Sequence, residues 1–396
     1  MDGDRRRRLG LALGLLTAIA CFAILEGGIR LDDWRRARQP RASPQDLALL
    51  QENPAGTGSY RLRPNLDLET RVGTSRIRIK TNAHGMHWRE TRLRGLPGVK
   101  RVAFLGDSFT FGSWASDSAH TFVGVFESNL PRDRFEALNF GVGGYGLVDE
   151  ELLLKEVALQ FDPAYVIVVS YMGNDFRDTW LGLNRETIVN GVAKINEENM
   201  KARVPAAFLA PDNRIPLPCK PPLWRRVAQR SAAFRRLAPI LNLENLCVTF
   251  RPNRNFRMPA FWSYVPPPEV AQEATAAVVE SLSRIDELAV THHARLAVVA
   301  LPTAAQVYAE EVKGRAFDTA LPQESLQNFC RDRRIPYLDL LPLLRQQAAA
   351  SNRRLYFERD IHLTDFGHSR VGELIAAWFE SRVQGAEADP ATALGK

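Results

Sequence analysis

Val99-Lys100-Arg101-Val102-Ala103-Phe104-Leu105-Gly106-Asp107-Ser108-Phe109-Thr110-Phe111-Gly112 is the stretch from which the fold of this 396-residue chain is read. Residues 102–105 form a short unbroken apolar run ending at a glycine, the pattern of a strand buried on both faces of a parallel sheet. Ser108 follows in a turn that glycine permits. A serine there points into the crevice at the carboxyl ends of the strands, where open α/β sheets bind ligands. It can present both Oγ and its backbone N–H, as a nucleophile must. The same Asp-Ser pair also suits a plain helix cap.

Downstream, strands and helices alternate. Strands are expected at Phe135–Val142, Ala164–Tyr171, Arg295–Leu301 and Ile335–Leu340, with helices at His120–Leu130, Leu147–Phe161, Glu269–Val290, Gln323–Arg331 and from Thr364 to about Arg382. Five strands with interposed helices predict a parallel sheet covered on both faces. One α/β domain is expected over residues 99–383. Upstream, residues 32–98 read as a linker and a small β extension, with the alternation Arg76-Ile77-Arg78-Ile79-Lys80 ahead of a turn at Asn82 to Gly85. Residues 176–267, rich in Pro, Asn and Arg, are too long for an ordinary crossover and read as an insertion. Residues 384–396 read as a disordered tail.

A chain that is 45% hydrophobic and 24% charged is too apolar for intrinsic disorder. Its net charge of +7 is uneven. Residues 1–41 hold 9 Arg against 5 acidic residues, and residues 176–267 hold 15 basic against 6 acidic, so the remainder is acidic. No nucleic-acid-binding motif accompanies the excess, which argues against nucleic acid as partner. In the insertion, Trp224, Val227, Phe234, Leu237 and Leu241 recur at near-helical spacing among arginines. Such a stretch either lies on an anionic surface or packs its apolar side on the domain.

Leu9–Leu25 is uncharged and would span ~26 Å as a helix. Arg5–Arg8 precede it, so the positive-inside rule predicts a single-pass signal-anchor over residues 1–31, with the N-terminus cytoplasmic and the domain periplasmic or otherwise extracytoplasmic. A cleaved signal at Ala18-Ile19-Ala20 is the alternative. Of the four cysteines, Cys330 reads as a core residue. Cys219 and Cys247 share the insertion and could pair as a disulfide in an oxidising compartment. No metal-ligand spacing occurs.

Two more strand ends carry chemistry. Asn139-Phe140-Gly141-Val142-Gly143-Gly144-Tyr145-Gly146 ends the second, and Gly173-Asn174-Asp175 ends the third. The N–H groups of Ser108 and Gly144 with the Asn174 amide could converge on a developing oxyanion. Among the histidines, His84, His87, His120, His292 and His293 read as exposed. Asp360-Ile361-His362 follows the last strand region. In an extended segment residues i and i+2 face one way, so Asp360 can hold Nδ1 of His362 and leave Nε2 for Ser108. The Gly141–Gly146 run also satisfies G-x-G-x-x-G, but Asp175, the nearest suitable acid, lies 29 residues on, where about 20 is expected for a dinucleotide site.

On these residues the sequence resembles the SGNH/GDSL hydrolases. The Ser is Ser108 in GDSFTFG, the Gly is Gly144 in NFGVGGYG, the Asn is Asn174 in GND and the His is His362. The commoner last block is D-x-x-H; here Arg359 stands at that position and Asp360 is one residue nearer, as in related acetyl-transferring members. The resemblance implies a three-layer α/β/α sandwich of flavodoxin-like type and hydrolysis or transfer of acyl groups. The expected activity is that of a serine esterase, with an acyltransferase acting on an envelope glycan and a non-catalytic glycan-binding protein as alternatives. The basic insertion suggests an acidic envelope polysaccharide or lipid as substrate. No cofactor is expected.

Overall fold

The computed structural model describes residues 20–31, 49–51, 53–54, 60–72, 75–183, 185–189, 192–195, 269–308, 321–357 and 360–384, with single positions at Gly10, Leu13, Gly14, Thr17 and Ser231. By their contacts, residues 1–43 and 216–252 form one unit and residues 44–215 and 253–396 another, which holds the sheet and the site.

The sheet strands are β1 (Lys100–Gly106), β2 (Phe135–Asn139), β3 (Tyr165–Tyr171), β4 (Arg295–Leu301) and β5 (Tyr337–Asp339). All pairings are parallel, in the order 2-1-3-4-5. Central β3 is buried along its whole length, which is why its sequence, YVIVVSY, lacks polar alternation. The order reverses direction between β1 and its two neighbours, creating a crevice at the carboxyl ends of β1 and β3.

Eight helices are used below: α1 (Ser108–Phe111), α2 (Phe122–Ser128), α3 (Leu147–Glu156), α4 (Asp175–Leu183), α5 (Glu269–Thr291), α6 (Leu321–Arg333), α7 (Leu341–Ala349) and α8 (Asp365–Trp378). Right-handed crossovers set their layers. The step from β1 to β2 runs one way and every later step the other, so α2 lies on one face and α3, α5 and α6 on the opposite face. The packing agrees: α2 meets α8, while α3, α4 and α5 pack on one another and α5 meets α6. The expected α/β fold with a five-stranded parallel sheet is present.

Local details differ from the sequence reading. The second strand stops at Asn139 and leaves residues 140–146 as loop. The expected helix over Leu147–Phe161 breaks at Val157 into α3 and a 3-10 turn, Ala158–Phe161, closed by Asp162 in a left-handed conformation. Helix α7 has no counterpart among the expected helices, and it carries Pro342 near its start. Proline sits in its first turn, where the backbone N–H has no intrahelical partner to lose. Helix α4 begins where the insertion was expected to begin, and Thr179 on it accepts a 2.9 Å bond from the N–H of Leu147. A hairpin, Arg185–Val189 with Val192–Ile195, follows it. Cys219, Cys247, the basic amphipathic stretch and residues 385–396 lie outside the described residues.

Ahead of the sheet, Asp67–Val72 pairs antiparallel with Ser75–Lys80 and Leu50–Gln51 with Arg61–Leu62. The turn at Asn82 forms because its Oδ1 accepts from the N–H groups of His84 and Met86 at 2.9 and 3.0 Å. His87, expected to be exposed, is instead buried, with Nδ1 2.9 Å from the Phe111 carbonyl. The extension packs on the domain there rather than trailing from it. Residues 20–31 are helical. Among the described residues no helix is long and apolar enough to cross a membrane, and part of the Leu9–Leu25 run lies outside them. Cys330 is buried on α6, and burial pushes its thiol up to about 12.

Three carboxyls are fully buried near the strand ends: Asp107 after β1, Glu150 on α3 and Asp175 at the start of α4. Burial pushes Asp107 up to about 6 and holds Glu150 and Asp175 well above the usual carboxylate range, with the charge of Asp107 raising both further. Among the described residues, neither oxygen of Glu150 has a hydrogen-bond partner. A carboxyl that binds its proton more tightly folded than unfolded contributes stability at low pH and loses it as pH rises through the folded value. Replacing Glu150 by Gln removes that loss. The Glu150→Gln variant should therefore gain in Tm over wild type as pH rises from 5 to 8, by about 2–4 °C for each kcal/mol involved. Thermal melts at three pH values test this; a difference that stays flat or shrinks would contradict it.

Candidate active site

The nucleophile position is built by β1 and the turn after it. Asp107 caps α1, its Oδ1 accepting from the N–H of Phe109 at 2.8 Å, which fixes the backbone on both sides of Ser108. Gly112 ends the single turn in a left-handed conformation and returns its N–H to the carbonyls of Ser108 and Phe109. From the other side, the loop after β2 lies directly on α1. A Cβ on Gly141 would sit 2.1 Å from the Phe111 nitrogen, so only glycine allows this approach.

His362 reaches Ser108 from the far end of the chain. The segment carrying it is a narrow antiparallel return: Tyr356 bridges to Leu363, the N–H of Phe357 donates to the His362 carbonyl at 3.0 Å, and that of Thr364 donates to the Leu355 carbonyl at 2.9 Å. Thr364 then caps α8. Held this way, Nε2 of His362 lies 2.8 Å from Ser108 Oγ and Nδ1 lies 2.5 Å from Asp360 Oδ1. The same Asp360 oxygen accepts from the His362 backbone N–H at 3.0 Å. Against the cost of partial burial, these bonds and the charge of His362 hold the Asp360 carboxyl below its ordinary value. It is thus an anion aimed at an imidazole N–H. The expected Ser108, His362 and Asp360 come together; Arg359 lies outside the described residues.

The expected donors are also brought to this edge. A Cβ on Gly143 would lie 3.8 Å from that of Ser108, so the glycine loop borders the nucleophile. Gly144 has φ +78°, a left-handed conformation that glycine alone adopts freely. Among the described residues, the backbone N–H groups of Ser108 and Gly144 donate to no protein atom. Asn174 differs. Its Nδ2 donates to Asp178 at 2.6 Å and, more loosely, to Asp107 at 3.4 Å. Those two carboxylates settle which end of the amide is nitrogen, since the oxygen would be repelled there. The N–H facing Asp107 is the weakly held one.

Two residues here escaped the sequence reading. Asp178, one turn after Asn174 on α4 and paired with Arg177 at 2.7 Å, orients the carboxamide. Trp114 stands edge-on to His362, with ring centroids 6.3 Å apart, while Phe109 lies against the imidazole at 4.9 Å. The Trp114 indole N–H is turned toward Asp360 and helps to lower its pKa, without closing a bond of ordinary geometry. Trp114 is held at φ +69°, a costly conformation for a bulky residue. No motif signals a strained tryptophan six residues after a serine. His368, the other histidine near the C-terminus, is buried at α8. It accepts from the N–H of Phe122, and burial drives its pKa down to about 3. Among the described residues, no group of three or more His, Cys, Asp or Glu could hold a metal ion.

Residues 262–395 match the family model described as "SGNH hydrolase-like domain, acetyltransferase AlgX". The match takes in Asp360 and His362; Ser108, Gly144 and Asn174 precede it. No curated protein matches the chain. Among solved structures, it is similar to a putative lipolytic protein of the G-D-S-L family from Desulfitobacterium hafniense DCB-2, at 13% identity and TM-score 0.36, over 70% of this chain and 99% of that one. An acetyl xylan esterase, AlAXEase, shows 12% identity and TM-score 0.38, over 70% and 98%. A two-domain esterase active on acetylated mannans shows 13% identity and TM-score 0.37, over 72% of this chain and 49% of that one. These likenesses are distant, and the assignment stands on the family match together with the Ser, Gly, Asn and His that the fold brings to one sheet edge. On that ground the chain carries an SGNH hydrolase-like domain.

Proposed function

We propose that this protein cleaves a carboxylic ester through an acyl-enzyme on Ser108. The observation that carries the reading is the unbroken line of hydrogen bonds from Asp360 through His362 to Ser108, beside two backbone N–H groups with no partner among the described residues. His362 Nε2 takes the Oγ proton as Oγ attacks the carbonyl carbon, and Asp360 stabilises the imidazolium that forms. The N–H groups of Ser108 and Gly144 and the weakly held amide proton of Asn174 receive the oxyanion. Collapse of the tetrahedral intermediate expels the alcohol, which takes the proton from His362. Water then repeats the cycle and releases the acid. This chemistry needs no cofactor.

A second reading shares every residue. If a glycan hydroxyl replaces water in the second half-reaction, the same acyl-enzyme makes an O-acyltransferase. The family description of residues 262–395 as acetyltransferase-like favours it. The excess of 15 basic over 6 acidic residues in 176–267 supports an acidic envelope polymer as the alcohol-bearing partner in either case. The Arg5–Arg8 cluster and the Leu9–Leu25 run support an anchor in the cytoplasmic membrane with the site on the outer side.

A fluorophosphonate probe should label wild type on Ser108, and Ser108→Ala should lose both the label and at least about 10⁴-fold of p-nitrophenyl acetate turnover. Equal turnover in the two proteins would overturn the acyl-enzyme. Adding acetylatable glycans distinguishes the readings, because a transferase releases little free acetate while acceptor is present. Asp360→Asn should lower kcat by about 10²–10⁴-fold with little change in KM, and Trp114→Phe by roughly 10-fold; steady-state kinetics of the two variants decide this. The full chain should sediment with membranes and resist carbonate extraction, and its recovery in the soluble fraction would count against the anchor.

A further inference from the structure

The glycine loop is gripped from outside the sandwich. Tyr60 stands just ahead of the short strand Arg61–Leu62, in the segment preceding the sheet, and is 8% exposed. Its Oη donates to the carbonyl oxygen of Gly143 at 2.6 Å, across 83 residues of sequence. The contact is close enough to dictate the next residue: a Cβ on Gly144 would sit 2.8 Å from that hydroxyl.

The grip is reciprocal. Tyr145, from the loop itself, donates its own hydroxyl to the carbonyl of Tyr60, and the two rings meet edge to face at 5.3 Å. Arg61 completes the arrangement, donating to Tyr145 Oη at 2.7 Å and pairing with Glu156 at the end of α3 at 2.5 Å. Tyr60 is therefore anchored through its backbone while its side chain holds the loop.

What it holds matters chemically. The carbonyl of Gly143 and the N–H of Gly144 belong to one planar trans peptide and point in opposite directions. A hydroxyl fixed on the carbonyl side sets the direction of the N–H on the other side. It also polarises the amide, making that N–H a stronger donor. A glycine-rich loop without such a hold has wide backbone freedom, and a donor that must reorganise during reaction stabilises an oxyanion poorly.

We propose that Tyr60 is a positioning residue for the oxyanion donor at Gly144, so that the segment ahead of the sheet completes the active site. The inference rests on the acyl-enzyme reading given above. Tyr60→Phe keeps the ring and removes only the hydroxyl. In the full chain it should lower kcat for p-nitrophenyl acetate about 10-fold, with KM within about 2-fold of wild type, and should weaken a boronic acid that forms a tetrahedral adduct on Ser108 by a similar factor. A packing role alone would not move kcat and boronate affinity together. Hydrogen exchange supplies a readout independent of turnover: the peptide covering residues 141–146 should exchange faster in Tyr60→Phe while β1 and β3 stay protected. Unchanged exchange in that peptide, or an unchanged kcat in an active enzyme, overturns the proposal. An inert wild type that Ser108→Ala does not alter instead overturns the acyl-enzyme reading, and faster loop exchange in Tyr60→Phe would then leave the positioning of Gly144 standing by itself.

Discussion

The 2.8 Å bond between His362 Nε2 and Ser108 Oγ joins side chains 254 residues apart, and the rest of the architecture serves to make it possible. Neither residue has a local reason to face the other. Ser108 is placed by a strand that must end where the sheet's backbone bonds run out. His362 is placed by a return whose two sides bond to each other before Thr364 starts a helix. A parallel sheet brings these ends to one edge because each crossover returns the chain in the same direction, so successive strands deliver their carboxyl ends side by side.

Much of this was legible in the sequence because the burial is extreme. A strand covered on both faces leaves no choice but an apolar run, and β1, β3 and β4 could be read for that reason. The residues of the site were legible as types at strand ends: Ser108, Gly144, Asn174 and the Asp360-Ile361-His362 spacing. What escaped reading is tertiary. Trp114 faces His362 only because a left-handed residue turns the chain there, and Asp178 meets Asn174 only once α4 forms. His87 is polar and lies beyond the extension's one alternating stretch, yet it is buried because the extension folds onto α1 through the Phe111 carbonyl. Helix α7 has no sequence signal of that kind: it carries Pro342 in its first turn, where proline is tolerated, and is short.

The site sits over an interior that is electrostatically unusual. Asp107 caps the nucleophile's helix while close enough to Glu150 and Asp175 to raise both, so the scaffold under Ser108 keeps acids where most cores keep hydrocarbon. Asp107 itself lies by the Asn174 amide and within reach of the charge of His362, and its ionised carboxylate gives the local field a negative bias. A negative charge there opposes an oxyanion, so the proposed chemistry depends all the more on the direct N–H donors of the loop and of α1.

The order of the site residues along the chain also bears on how the activity is born. Ser108, Gly144 and Asn174 are made early, whereas Asp360 and His362 are synthesised more than 180 residues after Asn174. A chain emerging from the N-terminal end can pair β1, β2 and β3 and present a serine, but it has no base until the last helix of the sandwich is being completed. Topologies dominated by such distant contacts close late in folding. The contact between Ser108 and His362 therefore forms as nearly the final event of maturation, after the strands that confine it have assembled.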